Sequence, residues 1–240
     1  MKNQIQIGNK SIEYVVVRSR RKTIGISIQS EQGLKVSAPY RVSDTYIHDV
    51  IQTKSSWILK KLKELEDAKP AERKFTPGEK LMVLGKEYYL CISEKVGIKT
   101  AQLDIGPSAV CLIIPEIKQL EQRTQIIRDA LTKCLKKIAA EIVSERIEVY
   151  SKKLNVLPKK IVIKSQKTLW GSCTRDNAIN INWRIVMAPV EIVDYLVVHE
   201  LAHIKVKNHS KTYWNLVESI LPDHKERRKW LRENGSRLCI

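Results

Sequence analysis

Apolar and polar residues alternate in two early stretches. Ile24, Ile26 and Ile28 form one apolar series and Leu34, Val36 and Ala38 another, with Gly33 in the turn between them. A period of two puts every second side chain on one face, so residues 23–29 and 34–38 are predicted to be half-buried strands. The β-branched run at 14–17 predicts another. After Ser43, a residue suited to an N-cap, Ile47, Val50, Ile51, Trp57, Ile58, Leu62 and Leu65 recur at helical spacing and predict one amphipathic helix. The pattern lapses in AKPAERKFTPG, residues 68–78, which reads as a linker. Gly85-Lys86 and Gly106-Pro107 mark the turns of two further hairpins.

From about residue 118 the period lengthens. Ile127, Leu131, Cys134, Ile138, Ile142 and Val143 share a helix face that runs towards Tyr150. Short strands are predicted at 161–164, 169–172 and 178–183, the last two joined by a turn at Asp176-Asn177. Pro189 suits the first turn of the next helix, and two more helices are predicted at 210–220 and 222–233. The expected fold class is therefore α+β. A β-rich N-terminal domain with one long helix occupies 1–117, and a second domain occupies 118–240.

Composition narrows the classes. No apolar run has the length of a membrane span, and the stretch MKNQIQIGNKS lacks the apolar centre of a secretory signal, so a cytoplasmic location is expected. Five cysteines without C-x-x-C spacing are expected to be reduced, buried thiols. The formal net charge of +17 favours anionic partners, including nucleotides and nonspecific contact with nucleic acid. It does not name one.

The chemistry concentrates in HELAHIKVKNH, residues 199–209, which holds three of the chain's five histidines. Residues four apart on a helix lie roughly 40° apart around its axis, so His199 and His203 can offer imidazoles to one cation. Glu200 points about 100° away, beside the metal, where it can take a proton from a water that the metal acidifies. Catalytic zinc sites use three protein ligands. His209 is the leading third, provided the helix ends after about Lys205, and Asn208 tolerates the left-handed exit such a break often uses. Glu218 and Glu226 are the alternative third ligands. Cys173 as a fourth ligand would close the site.

The segments LWGSCT, AININWRIVMAP, DYLVVHELAHIKVKNHSKTYW and LPDHKERRKWL together resemble the YgjP-like metallopeptidases, relatives of the SprT-like zinc proteases. The resemblance covers residues 160–233. VVVRSRRKTIGISIQSEQGLKVSAP resembles the family's N-terminal strands and extends the match upstream, to about 14–233 as one unit. It implies a zincin-like catalytic domain, a short antiparallel or mixed sheet with an active-site helix. It also implies one zinc ion per chain on His199, His203 and His209, with Glu200 as catalytic acid and base. Val206 stands where metzincins carry glycine, and no Met-turn follows.

Trp170, Gly171 and Ser172 are weighed as substrate-binding residues, with Gly171 letting backbone approach a substrate and the 178–183 strand offering an edge for an extended peptide. Tyr213 and Trp214 are expected to pack against the catalytic helix, and Tyr195 or His224 is a conceivable oxyanion donor. Arg18, Arg20, Arg21 and Lys22 read as a solvated basic strand face, and His48 as exposed. The reading that follows is a zinc-dependent hydrolase acting on peptides or proteins. A metal-dependent nucleoside triphosphate pyrophosphohydrolase and a nucleic-acid-associated SprT-like protease stand as alternatives.

Overall fold

The start of the chain holds four strands: β1 (Lys2–Ile7), which the pattern did not predict, and β2 (Lys10–Ser19), β3 (Gly25–Gln29) and β4 (Gly33–Pro39), which it did. The computed structural model describes residues 2–8, 10–29, 33–67, 73–117, 119–166 and 168–240. The strands pair in the order β1-β2-β4-β3, with β2 and β4 parallel. Leu34, Val36 and Ala38 bury completely against Ile47, Ile51 and Ile58. Ser43 caps its helix as expected, its hydroxyl accepting from Tyr46 N at 3.2 Å.

That helical stretch is two helices, α1 (Asp44–Thr53) and α2 (Ser55–Asp67), not one. At the break the Lys54 amide is shared between the Val50 and Ile51 carbonyls. Trp57, expected on the buried stripe, is 47% exposed, while its neighbour Ile58 is fully buried. The side chain of Leu65 lies outside the described residues, as do residues 68–72 of the expected linker. Arg18 is not a free surface cation: its guanidinium holds the Pro39 and Val42 carbonyls and Asp44. His48 is half-buried, hydrogen-bonded to the Tyr14 hydroxyl at 2.8 Å.

Contacts divide the chain into units Met1–Lys69 and Pro70–Ile240, whereas composition suggested a boundary at 117/118. The reason is a shared core. In the second unit β5 (Lys80–Val83), β6 (Lys86–Lys95), β7 (Gln102–Ile105) and β8 (Ala109–Pro115) form a sheet in the order β5-β6-β8-β7. Its inner residues Leu81, Leu90, Val110, Leu112 and Ile114 lie in one apolar cluster with Ile127, Leu131 and Leu135 of α3 (Leu120–Leu154). α3 runs 35 residues and ends at Asn155, which takes the left-handed conformation at φ 48°. Cys91 and Cys111 correct the expectation of buried thiols. The alternation that turns Val110 and Leu112 inward leaves them exposed on the outer face of β6 and β8.

The third sheet positions the candidate site. β9 (Lys160–Lys164), β10 (Gly171–Cys173) and β11 (Ala178–Asn182) pair in the order β10-β11-β9, antiparallel then parallel. The 178–183 strand is thus central, and the edge next to the helix layer is β10. A 3-10 turn, Trp183–Met187, leads to α4 (Val190–Lys205), then α5 (Lys211–Ile220) and α6 (His224–Asn234). α4 is buried along most of its length by Val193, Val197, Leu201 and their neighbours. It also carries buried Asp194, which accepts from Arg146 Nε and Nη2 at 2.5 and 2.9 Å and from the Tyr150 hydroxyl at 2.9 Å. This ion pair fixes α4 against α3, and burial with partners satisfied is what such a carboxylate requires.

Candidate metal centre

α4 places His199 and His203 one turn apart, with ring centroids at 5.1 Å. The helix then stops where a third ligand needs it to. Val206 leaves in an extended conformation, φ −131° and ψ 105°. Asn208 is not among the left-handed residues, so the exit differs from the one expected. A β-branched residue favours extended backbone, which explains how the chain turns here without a glycine. The turn returns His209 to the histidines of α4. Its Nε2 lies 3.2 Å from both His203 Nε2 and His199 Nε2.

These distances and the protonation states fit a metal. Tetrahedral ligands about 2.0–2.1 Å from zinc sit roughly 3.3–3.4 Å from each other. His203 Nδ1 is 3.1 Å from the Val206 carbonyl, which can only accept, so the proton is on Nδ1 and the Nε2 lone pair faces the cluster. Burial, reinforced by the neighbouring imidazoles, pushes His199 down to about 3, and burial lowers His203 as well. A neutral His203 ring with its lone pair turned inward is what a cation needs. Among the described residues this is the one group of three or more histidine, cysteine or acidic side chains close enough to share an ion.

Aromatic residues hold the rings. Tyr213 stacks on His203 with centroids at 4.5 Å, and its hydroxyl donates to the His199 carbonyl at 2.8 Å. Trp214 stacks on His209 at 5.6 Å and on His224 at 5.7 Å. Both pack at α4, as their position in the sequence suggested.

Glu200 lies against β10, at Gly171. It is 3% exposed, and burial pushes its carboxyl up to about 8. Gly171 makes the room: a Cβ there would meet Glu200 Oε1 at 2.5 Å. Gly171 thus accommodates an acidic side chain of the protein itself. Lys207, which the sequence reading passed over, ties the β10–β11 hairpin to the linker carrying His209. Its ammonium donates to Asn177 Oδ1 at 2.7 Å and to the Thr174 carbonyl at 3.1 Å.

The YgjP-like metallopeptidase domain profile matches residues 22–234. The chain belongs to the YgjP-like metallopeptidase family. Membership makes it a metal-dependent peptidase in general terms and implies a divalent metal and a peptide substrate. No curated protein matches it. The crystal structure of the metallopeptidase zymogen of Pyrococcus abyssi abylysin is 22% identical over 38% of this chain and 93% of its own, with a TM-score of 0.35, an overlap on which nothing is built.

Glu218 pairs with Lys225 at 3.2 Å and Glu226 is exposed in the first turn of α6; neither joins the histidine cluster. Cys173, half-buried at the end of β10, lies 3.8 Å from Lys207 Nζ and is also outside the cluster. Trp170 packs in the core beside Gly235. The Ser172 hydroxyl accepts from Asn180 Nδ2 at 3.0 Å. Tyr195 is buried against the His199 ring, which desolvates its hydroxyl and raises its pKa. No described helix is long and apolar enough to cross a membrane.

Proposed function

We propose that this chain is a zinc-dependent peptidase in which His199, His203 and His209 hold a single zinc ion and Glu200 manages the proton. The observation that supports this reading is the convergence of three imidazole nitrogens within 4.8 Å of one another, with a buried carboxylate one residue after the first of them. A zinc ion bound there supplies Lewis acidity, which acidifies water and polarises a scissile carbonyl.

The chain's own residues do the rest. The carboxyl of Glu200, made basic by burial, is suited to take a proton from the attacking water and deliver it to the leaving amine. Gly171 holds that carboxyl against β10, and Tyr213 and Trp214 keep the imidazoles in register. β10 is an outer strand of its sheet among the described residues and carries Gly171 against Glu200, so it is suited to offer main-chain partners to an extended peptide near the reacting groups.

The test couples metal analysis of the purified protein to a peptide-library screen. Glu200→Gln should retain one zinc per chain and lose cleavage by about 10²-fold or more. Full cleavage by that variant rules out the role of Glu200. A wild-type protein that binds no metal after dialysis against zinc rules out the site.

A further inference from the structure

On the outer face of the β5–β8 sheet, Cys91 and Cys111 are direct register partners across the parallel pair β6–β8. Both are exposed. Paired strands run about 4.8 Å apart, inside the roughly 4.4–6.8 Å Cα separation that a disulfide spans. The core-facing positions beside them, Leu90, Val110 and Leu112, are at most 2% exposed, so neither thiol fills the interior. The neighbouring Cys91 thiol, with Asp104 nearby, holds the Cys111 thiol above its usual range. Asp104 is the register partner of Cys111 on β7. Cys134, Cys173 and Cys239 lie on other elements and are half-buried.

We propose that Cys91 and Cys111 are a redox-active dithiol that closes reversibly to a cross-strand disulfide on meeting a low-molecular-weight disulfide of the glutathione class. The Cys91 thiolate attacks one sulfur of the oxidant, forming a mixed disulfide and releasing one thiolate. Cys111 then gives up its proton and attacks the Cys91 sulfur, releasing the second. Two protein thiols are oxidised, one disulfide is reduced to two thiols, and both protons leave with the products. An exposed disulfide of this kind remains open to thiol attack, so the reaction runs back in reducing conditions. When closed, it clamps the two middle strands of the sheet and encloses β7 in the loop between them. The proposal does not depend on the metal reading, since both thiols lie outside the histidine cluster.

The test treats the full-length, metal-loaded protein with oxidised glutathione and reads intact mass and disulfide-linked peptides. The expected product is a monomer lighter by about 2 Da, the mass of two hydrogens, whose one linked peptide pair joins Cys91 to Cys111 and which a dithiol reductant restores. Cys111→Ser should stop at a glutathione adduct on Cys91, with the melting temperature of the untreated variant unchanged to show that it folds. Overturning results are a wild-type protein that stops at the adduct, links between two chains, links through another cysteine, or no reaction.

Discussion

Replacing Gly171 with alanine pushes a methyl carbon into space that Glu200 fills. The new Cβ would lie 2.5 Å from Oε1, 2.8 Å from Cγ and 2.9 Å from Cδ of Glu200. These are well under the roughly 3.5 Å at which such atoms rest against one another. Because Cγ is involved, rotating the carboxylate end alone does not relieve the clash, and the side chain must withdraw by about 0.5–1 Å. A displacement near 1 Å in a reacting group costs about 10²-fold in rate. Forcing the side chain off its rotamer adds about 1 kcal/mol of destabilisation. The imidazoles are not touched, so zinc content should stay at the wild-type level. Turnover of a library peptide that the wild type cleaves should fall by roughly two orders of magnitude, mostly in kcat. The melting temperature should drop by about 2–4 °C. An unchanged kcat in a folded, metal-loaded Gly171→Ala protein would refute the argument that β10 positions Glu200.

The remaining expectations concern the ligands, the ion pair and pH. His209→Ala should weaken zinc binding by more than about 100-fold in a competition titration with a chelating dye, while Glu218→Gln and Glu226→Gln leave it unchanged. A His209→Ala protein with wild-type affinity would assign the third ligand elsewhere. Asp194→Asn keeps the shape but removes the charge that Arg146 faces. With Arg146 still 23% exposed, about 2–4 kcal/mol should be lost in urea unfolding, and a change within error would show the pair to be incidental. In the metal-free protein Glu200 is pushed from 4.5 up to about 8 by burial, so the native state holds a proton that the unfolded chain has released. Its contribution is full below pH 4.5 and is lost as pH rises through about 8. The stability difference between wild type and Glu200→Gln, both free of metal, should therefore shift across that window; a constant difference would contradict the burial of this carboxyl.

Much of the site was legible because its chemistry is tied to spacing. His199, Glu200 and His203 follow from helical geometry alone, and the structure brings His209 to them at the predicted helix end. The manner of that ending was not legible. Local preference pointed to a left-handed Asn208, but the exit is set by an extended Val206 whose carbonyl is taken by His203. Such a bond exists only after the helix has formed. The role of Gly171 was misjudged for a related reason. A glycine announces close approach but not what approaches, and here the neighbour is 29 positions away in sequence, at Glu200. In the fold, alternation located the strands, and the turn residues located the hairpins. The division of the chain followed a different logic, since periodicity within β5–β8 does not reveal that their inner face completes the core of α3. Trp57 shows the same limit: it flanks the buried Ile47, Ile51 and Ile58, and a helical stripe does not say how wide a face the neighbouring sheet covers.

The Lys207 tether makes the β10–β11 hairpin and the linker bearing His209 one mechanical piece. Cation affinity and hairpin order are consequently two readings of a single equilibrium, and linkage makes their influence mutual. On the proposed reading, whatever steadies the hairpin would tighten the grip on the ion, and loading the ion would still the hairpin by the same free energy. An edge strand tied in this way would stiffen when the three histidines hold a cation and slacken when they do not, so metal supply would set how ready β10 is to accept an extended chain.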